Sequence, residues 1–226
     1  MTPPDPGSVL AMWAAGVGAG VALVALWKVA RPGFVLLGTS VAAAIGFLGA
    51  AAGAGWWAAV AAVISLLAIY LKATPWAALP LTGAALLWLD AAYSAGASSA
   101  GGNPMGRWWV VISGAIALGG ITSEMLLGHW YLVDPKLPRR SLKILAALGI
   151  LGIAVDTMLV QASVVDSAVI PPAVLAGLGG TTVVLMVGVW FALRVPSYTG
   201  VMAATGLSYL ATLTGLGAVV LGRAVI

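Results

Sequence analysis

Apolar residues fall in long runs along this chain, and polar residues gather in the short gaps between them. Several runs reach the ~20 residues that a helix needs to cross a bilayer. With their terminators they predict eight spans, over 8–29, 34–52, 56–72, 75–93, 108–133, 141–163, 169–193 and 196–222. Pro32-Gly33 ends the first run, Gly53-Ala54-Gly55 makes a turn after the second, and Thr74-Pro75 opens the fourth. Gly and Ser between Ser94 and Gly106 disfavour regular structure and separate the fourth span from the fifth. Asp166 and Pro171-Pro172 mark the connection before the seventh. Seven spans result if the short second or third run is re-entrant. Pro80 and the Pro171-Pro172 pair are the candidate helix breaks.

Helix ends also suggest an internal repeat. Trp27 and Pro32 close the first span with the spacing at which Trp130 and Pro135 close the fifth. Leu71-Lys72-Ala73-Thr74-Pro75 after the third span is echoed by Leu193-Arg194-Val195-Pro196 after the seventh. A parallel four-plus-four duplication would give both pairs. Tryptophan, basic residues and proline also mark the ends of membrane helices in general.

Composition agrees with the pattern. Of 226 residues, 62% are hydrophobic and only 7% are charged, against roughly a quarter charged in soluble domains. The expectation is one all-α domain, a polytopic membrane bundle in contact with lipid, without a soluble catalytic module. The absence of cysteine excludes disulfides, thiolate catalysis and cysteine-held clusters. The start, MTPPDPGS, lacks a basic leader region, so the first run is expected to be retained as a span.

The net charge of +4 points to topology rather than to nucleic acid. With the N-terminus outside, Lys28, Arg31, Lys72, Lys136, Arg139, Arg140, Lys143 and Arg194 are cytoplasmic. Only Arg107 and Arg223 then lie outside. This asymmetry predicts both termini outside, in a prokaryotic cytoplasmic (inner) membrane.

Three carboxylates fall inside the predicted spans: Asp90, Glu124 and Asp156. A charge at mid-bilayer costs at least ~2.5–3.5 kcal/mol, so such groups usually face the bundle interior and mark a pathway. Gly120, Glu124 and Gly128 share one helix face, and Leu145, Gly149, Gly152 and Asp156 form a similar stripe on the next span. Glycine stripes let membrane helices approach closely, so both acids are expected at helix contacts, with the sixth span as Glu124's neighbour. At ~1.5 Å per residue, Glu124 lies roughly 9 Å, Asp156 roughly 18 Å and Asp90 roughly 22 Å from the cytoplasmic boundary. No basic residue is expected at the depth of Glu124 or Asp156, so at least one of the two should hold its proton. Thr157, Gln161 and Tyr93, with a polar stripe of Thr205, Ser208, Tyr209 and Thr212, could bridge between them.

The single histidine, His129, follows at the boundary, with Trp130 and Tyr131 beside it. Imidazole exchanges protons near neutrality. Five residues from Glu124 is about 140° around the helix, so the two do not share a face. One histidine cannot ligate a haem on both sides and no local metal cluster accompanies it, which leaves only a haem held by one His and one Met.

Two functional readings follow. The first is a membrane subunit of a respiratory or redox complex that handles quinone and conducts protons. His129, Trp130, Tyr131 and Glu124 would then contact the quinone, and Glu124, His129, Asp156 and Asp90 would form the proton path. Redox subunits would be its partners. The second is a small proton- or cation-coupled carrier whose acids bind the coupling ion. A purely structural scaffold subunit is the remaining alternative.

Overall fold

The structure is a computed structural model, and it describes residues 6–29, 31–72, 74–96, 104–163 and 171–224. Among these, all regular structure is helical. The helices are α1 (Pro6–Leu26), α2 (Pro32–Gly49), α3 (Trp56–Leu71), α4 (Ala78–Ala95), α5 (Pro104–Val133), α6 (Arg139–Ser163), α7 (Pro172–Ala192) and α8 (Tyr198–Ala224). The Ser94–Gly106 and Asp166 connections expected from sequence lie largely outside the described residues.

The turn chemistry read from the chain sets these boundaries. Pro32 and Pro172 occupy first helical positions, where no backbone N–H is needed. A π turn over Ala50–Ala54 closes α2, and Gly53 (φ 113°) and Gly55 (φ 83°) take the left-handed conformations that reverse the chain into α3. Pro80 breaks nothing. It lies in the first turn of α4, just after a 3₁₀ turn over Pro75–Ala77, where its missing N–H costs little.

Six helices are long and apolar enough to cross a membrane: α1, α2 with its π turn, α5, α6, α7 and α8. The other two of the eight are α3, at 16 residues, and α4, which carries Pro80 and Asp90.

The helices form two four-membered rings. In the first, α1 packs on α2, α2 on α3, α3 on α4, and α4 returns to α1. In the second, α5 packs on α6, α6 on α7, α7 on α8, and α8 returns to α5. The rings meet mainly through α1 and α5. There Gly16 lies on Ala115 and Gly119, and Gly20 lies on Ser123, so closely that a Cβ on Gly16 or Gly119 would strike the opposing backbone. Within the second ring Gly120 meets Gly149, and Gly152 meets Ala117, which brings α5 and α6 into backbone contact. Those glycine stripes act as the sequence suggested. The first ring is filled differently. Trp88 is wholly buried against Gly18 and Gly46, and its indole N–H donates to the Ala58 carbonyl at 2.9 Å.

Candidate functional site

The buried ionisable groups gather in the second ring, around α5. Asp156 of α6 meets Ser113 of α5, whose hydroxyl donates to Oδ1 at 2.7 Å. Arg223, in the last turn of α8, donates through Nη1 to Oδ2 at 2.9 Å and through Nη2 to Oδ1 at 2.6 Å. Nη2 also donates to the Val110 carbonyl at 2.7 Å and lies 3.9 Å from the Met12 sulfur of α1. Both side chains are nearly closed to the surroundings, at 8% and 3% exposure. Gly114 makes room for the guanidinium, since a Cβ there would sit 2.5 Å from Nη2.

This corrects two expectations. Asp156 has a cation at its own depth, in a forked, charge-assisted pair. Arg223 is no peripheral flanking charge, because α8 is long enough to carry it back against α5 and α6. Ser113 and Arg223 escaped the sequence reading. The available signal was that Ser113, Asp156 and Arg223 all lie near the same end of their predicted spans.

Glu124 is also fully buried, with a different environment. Its Oε2 pairs with the Ser208 hydroxyl of α8, while Oε1 has no hydrogen-bond partner among the described residues. Its stripe is shared between two neighbours. Gly120 faces α6, but Gly128 packs on Thr205 of α8 and Glu124 turns to the same helix. The expectation that α6 covers Glu124 is therefore replaced by α8, because α5 is central and touches α1, α6 and α8 at once. The polar stripe on α8 does line this seam. Thr205 and Ser208 are buried, Thr212 lies 3.6 Å from the Met125 sulfur, and Tyr209 points away and is exposed.

The remaining candidates do not converge on Glu124. His129 is exposed. The Trp130 ring lies over Gly33 of α2. Tyr131 is buried under Arg139, whose Nε is 3.5 Å from the phenol oxygen. Arg139 in turn donates to the Val195 and Ser197 carbonyls in the α7–α8 turn. Asp90 is exposed on α4, so this in-span acid does not face the interior. Of the suggested bridging groups, Thr157 lies against Gly179, Gln161 donates to the Pro172 carbonyl, and Tyr93 stacks on Trp108 beneath Arg107. None of them links two carboxylates. No group of three metal-ligating side chains occurs among the described residues.

The arrangement thus holds one forked ion pair, in which the carboxylate is fully engaged and the Arg223 Nε has no partner among the described residues, and one half-satisfied carboxyl, about sixteen ångströms apart along α5 at its ~1.5 Å rise. No family model matches this chain, and neither the curated proteins nor the solved structures yield a match.

Proposed function

We propose that this chain is an integral membrane protein, built by duplication of a four-helix unit, that passes protons through its second ring with Glu124 as the exchanging group. Large apolar side chains on its outer faces, among them Tyr70, Val184 and Leu213, support the membrane reading. An up-and-down course of the helices in this order would bring Lys28, Arg31, Lys72, Lys136, Arg139, Arg140, Lys143 and Arg194 toward one end of the bundle. That is the distribution expected of a cytoplasmic face, with both termini outside.

Spacing and packing support the duplication. Trp27 and Trp130, Pro32 and Pro135, Gly16 and Gly119, Gly46 and Gly149, and Gly49 and Gly152 each stand 103 positions apart. Two such pairs also touch: Gly16 meets Gly119, and Gly20 meets Ser123. Residues near a twofold axis contact their own equivalents, and a twofold relation between parallel repeats would produce these contacts.

Glu124 carries the functional reading. A buried acid kept only for structure is best served by full hydrogen bonding, as Asp156 is. Glu124 has one hydroxyl partner and a free oxygen. Ser208 also lies 2.9 Å from the Ala204 carbonyl and has a single proton to give. If that proton goes to Ala204, the one shared with Glu124 comes from the carboxyl itself. Thr205 and Thr212, one turn to either side, extend the polar seam along α8. In-span acids of this kind typically serve proton or ion pathways.

Membership of a redox complex, with quinone as the exchanging partner, is one setting for this activity. The exposed His129, turned away from Glu124, favours the second reading, a small proton- or cation-coupled carrier. Reconstitution into vesicles with an internal pH dye tests the proposal. Glu124→Gln should cut proton flux at least about tenfold, the loss expected when an acid–base group is removed, at unchanged protein abundance. Undiminished flux would overturn it. Purification from native membrane then separates the settings: redox subunits that co-purify favour the complex, and a lone protein favours the carrier.

A further inference from the structure

We infer that a slot on one side of the inter-ring seam binds a hydrocarbon chain, acyl or isoprenoid, of a membrane lipid. The slot is a cavity of about 190 Å³ flanked by α1, α4, α5 and α6. Ala15, Ala19, Ala115 and Ile116 are among its walls, and its lining is almost wholly apolar. Such a cavity gives water no hydrogen-bond partners, and an apolar cavity of ~150 Å³ is known to stay dry and accept benzene.

The second side of the seam indicates why the slot is open. Under the 103-residue correspondence, Ala15, Ala19, Ala115 and Ile116 become Leu118, Thr122, Met12 and Trp13. Each replacement is bulkier. Trp13 donates to Thr122 across the seam at 2.8 Å, and Met12 is buried beside Gly114 and Arg223. Ile112, Leu145, Ala85 and Leu89 run the other way, against Val9, Ala42, Gly188 and Ala192, while Gly20 and Gly120 give way to Ser123 and Val17, so the second side remains the bulkier. One side of the seam therefore carries its own filling, while the other has lost that bulk.

The occupant follows from the walls. Ala19, at the position equivalent to Thr122, has no hydroxyl, so nothing there holds a polar head. The lining runs along α5 from Ile112 to Gly120, about 12 Å at the helical rise, which suits a chain lying parallel to the helices. Ile116, at 40% exposure, stands at the mouth. In a bilayer the solvent that reaches this mouth is lipid.

The inference rests on the membrane reading, and the experiment separates the two. The protein is reconstituted in phosphatidylcholine vesicles containing a phosphatidylcholine with a diazirine on its acyl chain, then irradiated and mapped by mass spectrometry. Adducts on Ile112, Ile116 or Leu148 are expected. Ile116→Trp, which copies Trp13, should lower those on Ile112 and Leu148 by about tenfold, while adducts on outward residues such as Leu213 persist. Ala115→Met, copying Met12, is the milder variant should the first fail to fold, and it should lower them in the same direction. Added isoprenoid quinone that competes for the slot adducts identifies an isoprenoid source; if it does not compete, the source is acyl. Outward adducts without slot adducts, or slot adducts unchanged by both substitutions, would overturn the slot. Absence of adducts everywhere would overturn the membrane reading itself.

Discussion

The first ring closes around an indole, and the second closes around charge. Trp88 fills the first, and the buried polar side chains described there are the small hydroxyls Ser8, Thr39 and Ser65. The second buries Glu124 and Asp156 outright, with Arg223 almost covered, Ser113 bonded to Asp156, Ser208 bonded to Glu124 and Thr205 against Gly128 beside it. Both rings follow the same order of helix contacts. The first shows that this architecture needs no buried ionisable group. Desolvating a charge is expensive, and a buried pair often stabilises no more than a well-packed apolar replacement would. The charges of the second ring therefore need a reason beyond closing it. Within that ring the two acids divide again: Asp156 is fully engaged, and Glu124 keeps a free oxygen.

The largest effect is expected where the rings touch. Gly119→Leu would drive a side chain into the Gly16 backbone, and backbone cannot yield as a flexible side chain can. Loss of folded protein from the membrane is the expected outcome, read by abundance and by size-exclusion profile in detergent. A well-folded Gly119→Leu protein would remove the close seam from which the comparison starts.

Next comes the ion pair. Arg223→Leu leaves Asp156 buried without its cation and should cost about 3–5 kcal/mol, seen as a marked fall in thermal unfolding temperature. Asp156→Asn breaks the same pair from the other side and is expected to destabilise too, because Arg223 is then the orphan. The double variant Asp156→Leu with Arg223→Leu makes the second ring resemble the first and should recover most of the loss. If the double variant is as unstable as the single ones, the pair is more than a mutually neutralising filling.

In the first ring, Trp88→Phe removes the bond to Ala58 and part of the packing against Gly46. A cost of about 1–2 kcal/mol is expected, with proton flux unchanged. Altered flux would mean that the first ring also takes part in the activity.

How much of this was legible follows from what one helix can report. The helix ends were legible because proline, glycine and basic residues act locally, as at Pro32, Gly53 and Gly55. The α5–α6 contact was legible because Gly120, Gly149 and Gly152 are useful only if another backbone comes close. The ion pair was not, because Asp156 and Arg223 lie 67 residues apart on helices that are not consecutive, and a terminal arginine reads as a flanking charge. The neighbour of Glu124 was missed for a related reason. A stripe gives a direction from its own helix axis, and for a central helix such as α5 that direction can point to any of several partners. His129, Trp130 and Tyr131 looked like one cluster because they are consecutive, yet successive residues point about 100° apart around a helix. They end on an open surface, on α2 and under Arg139.

The smallest effect is expected from the acid that the comparison leaves out. Asp90 lies in α4 of the first ring and is exposed, so Asp90→Asn removes a charge that the interior does not use. Stability should not fall, since an outward-facing carboxylate within a span is unfavourable in lipid, and vesicle proton flux should equal that of the unaltered protein. Beside it, Glu124→Gln should leave unfolding temperature nearly the same, since the amide keeps the size and can still bond Ser208, yet flux should collapse. The two substitutions remove the same chemical group from helices of the same bundle, so a general effect of lost negative charge would appear in both. If Asp90→Asn lowers flux as much as Glu124→Gln does, the path is not confined to the second ring. Burial and incomplete bonding would then be the wrong marks by which to choose the acid that carries the proton.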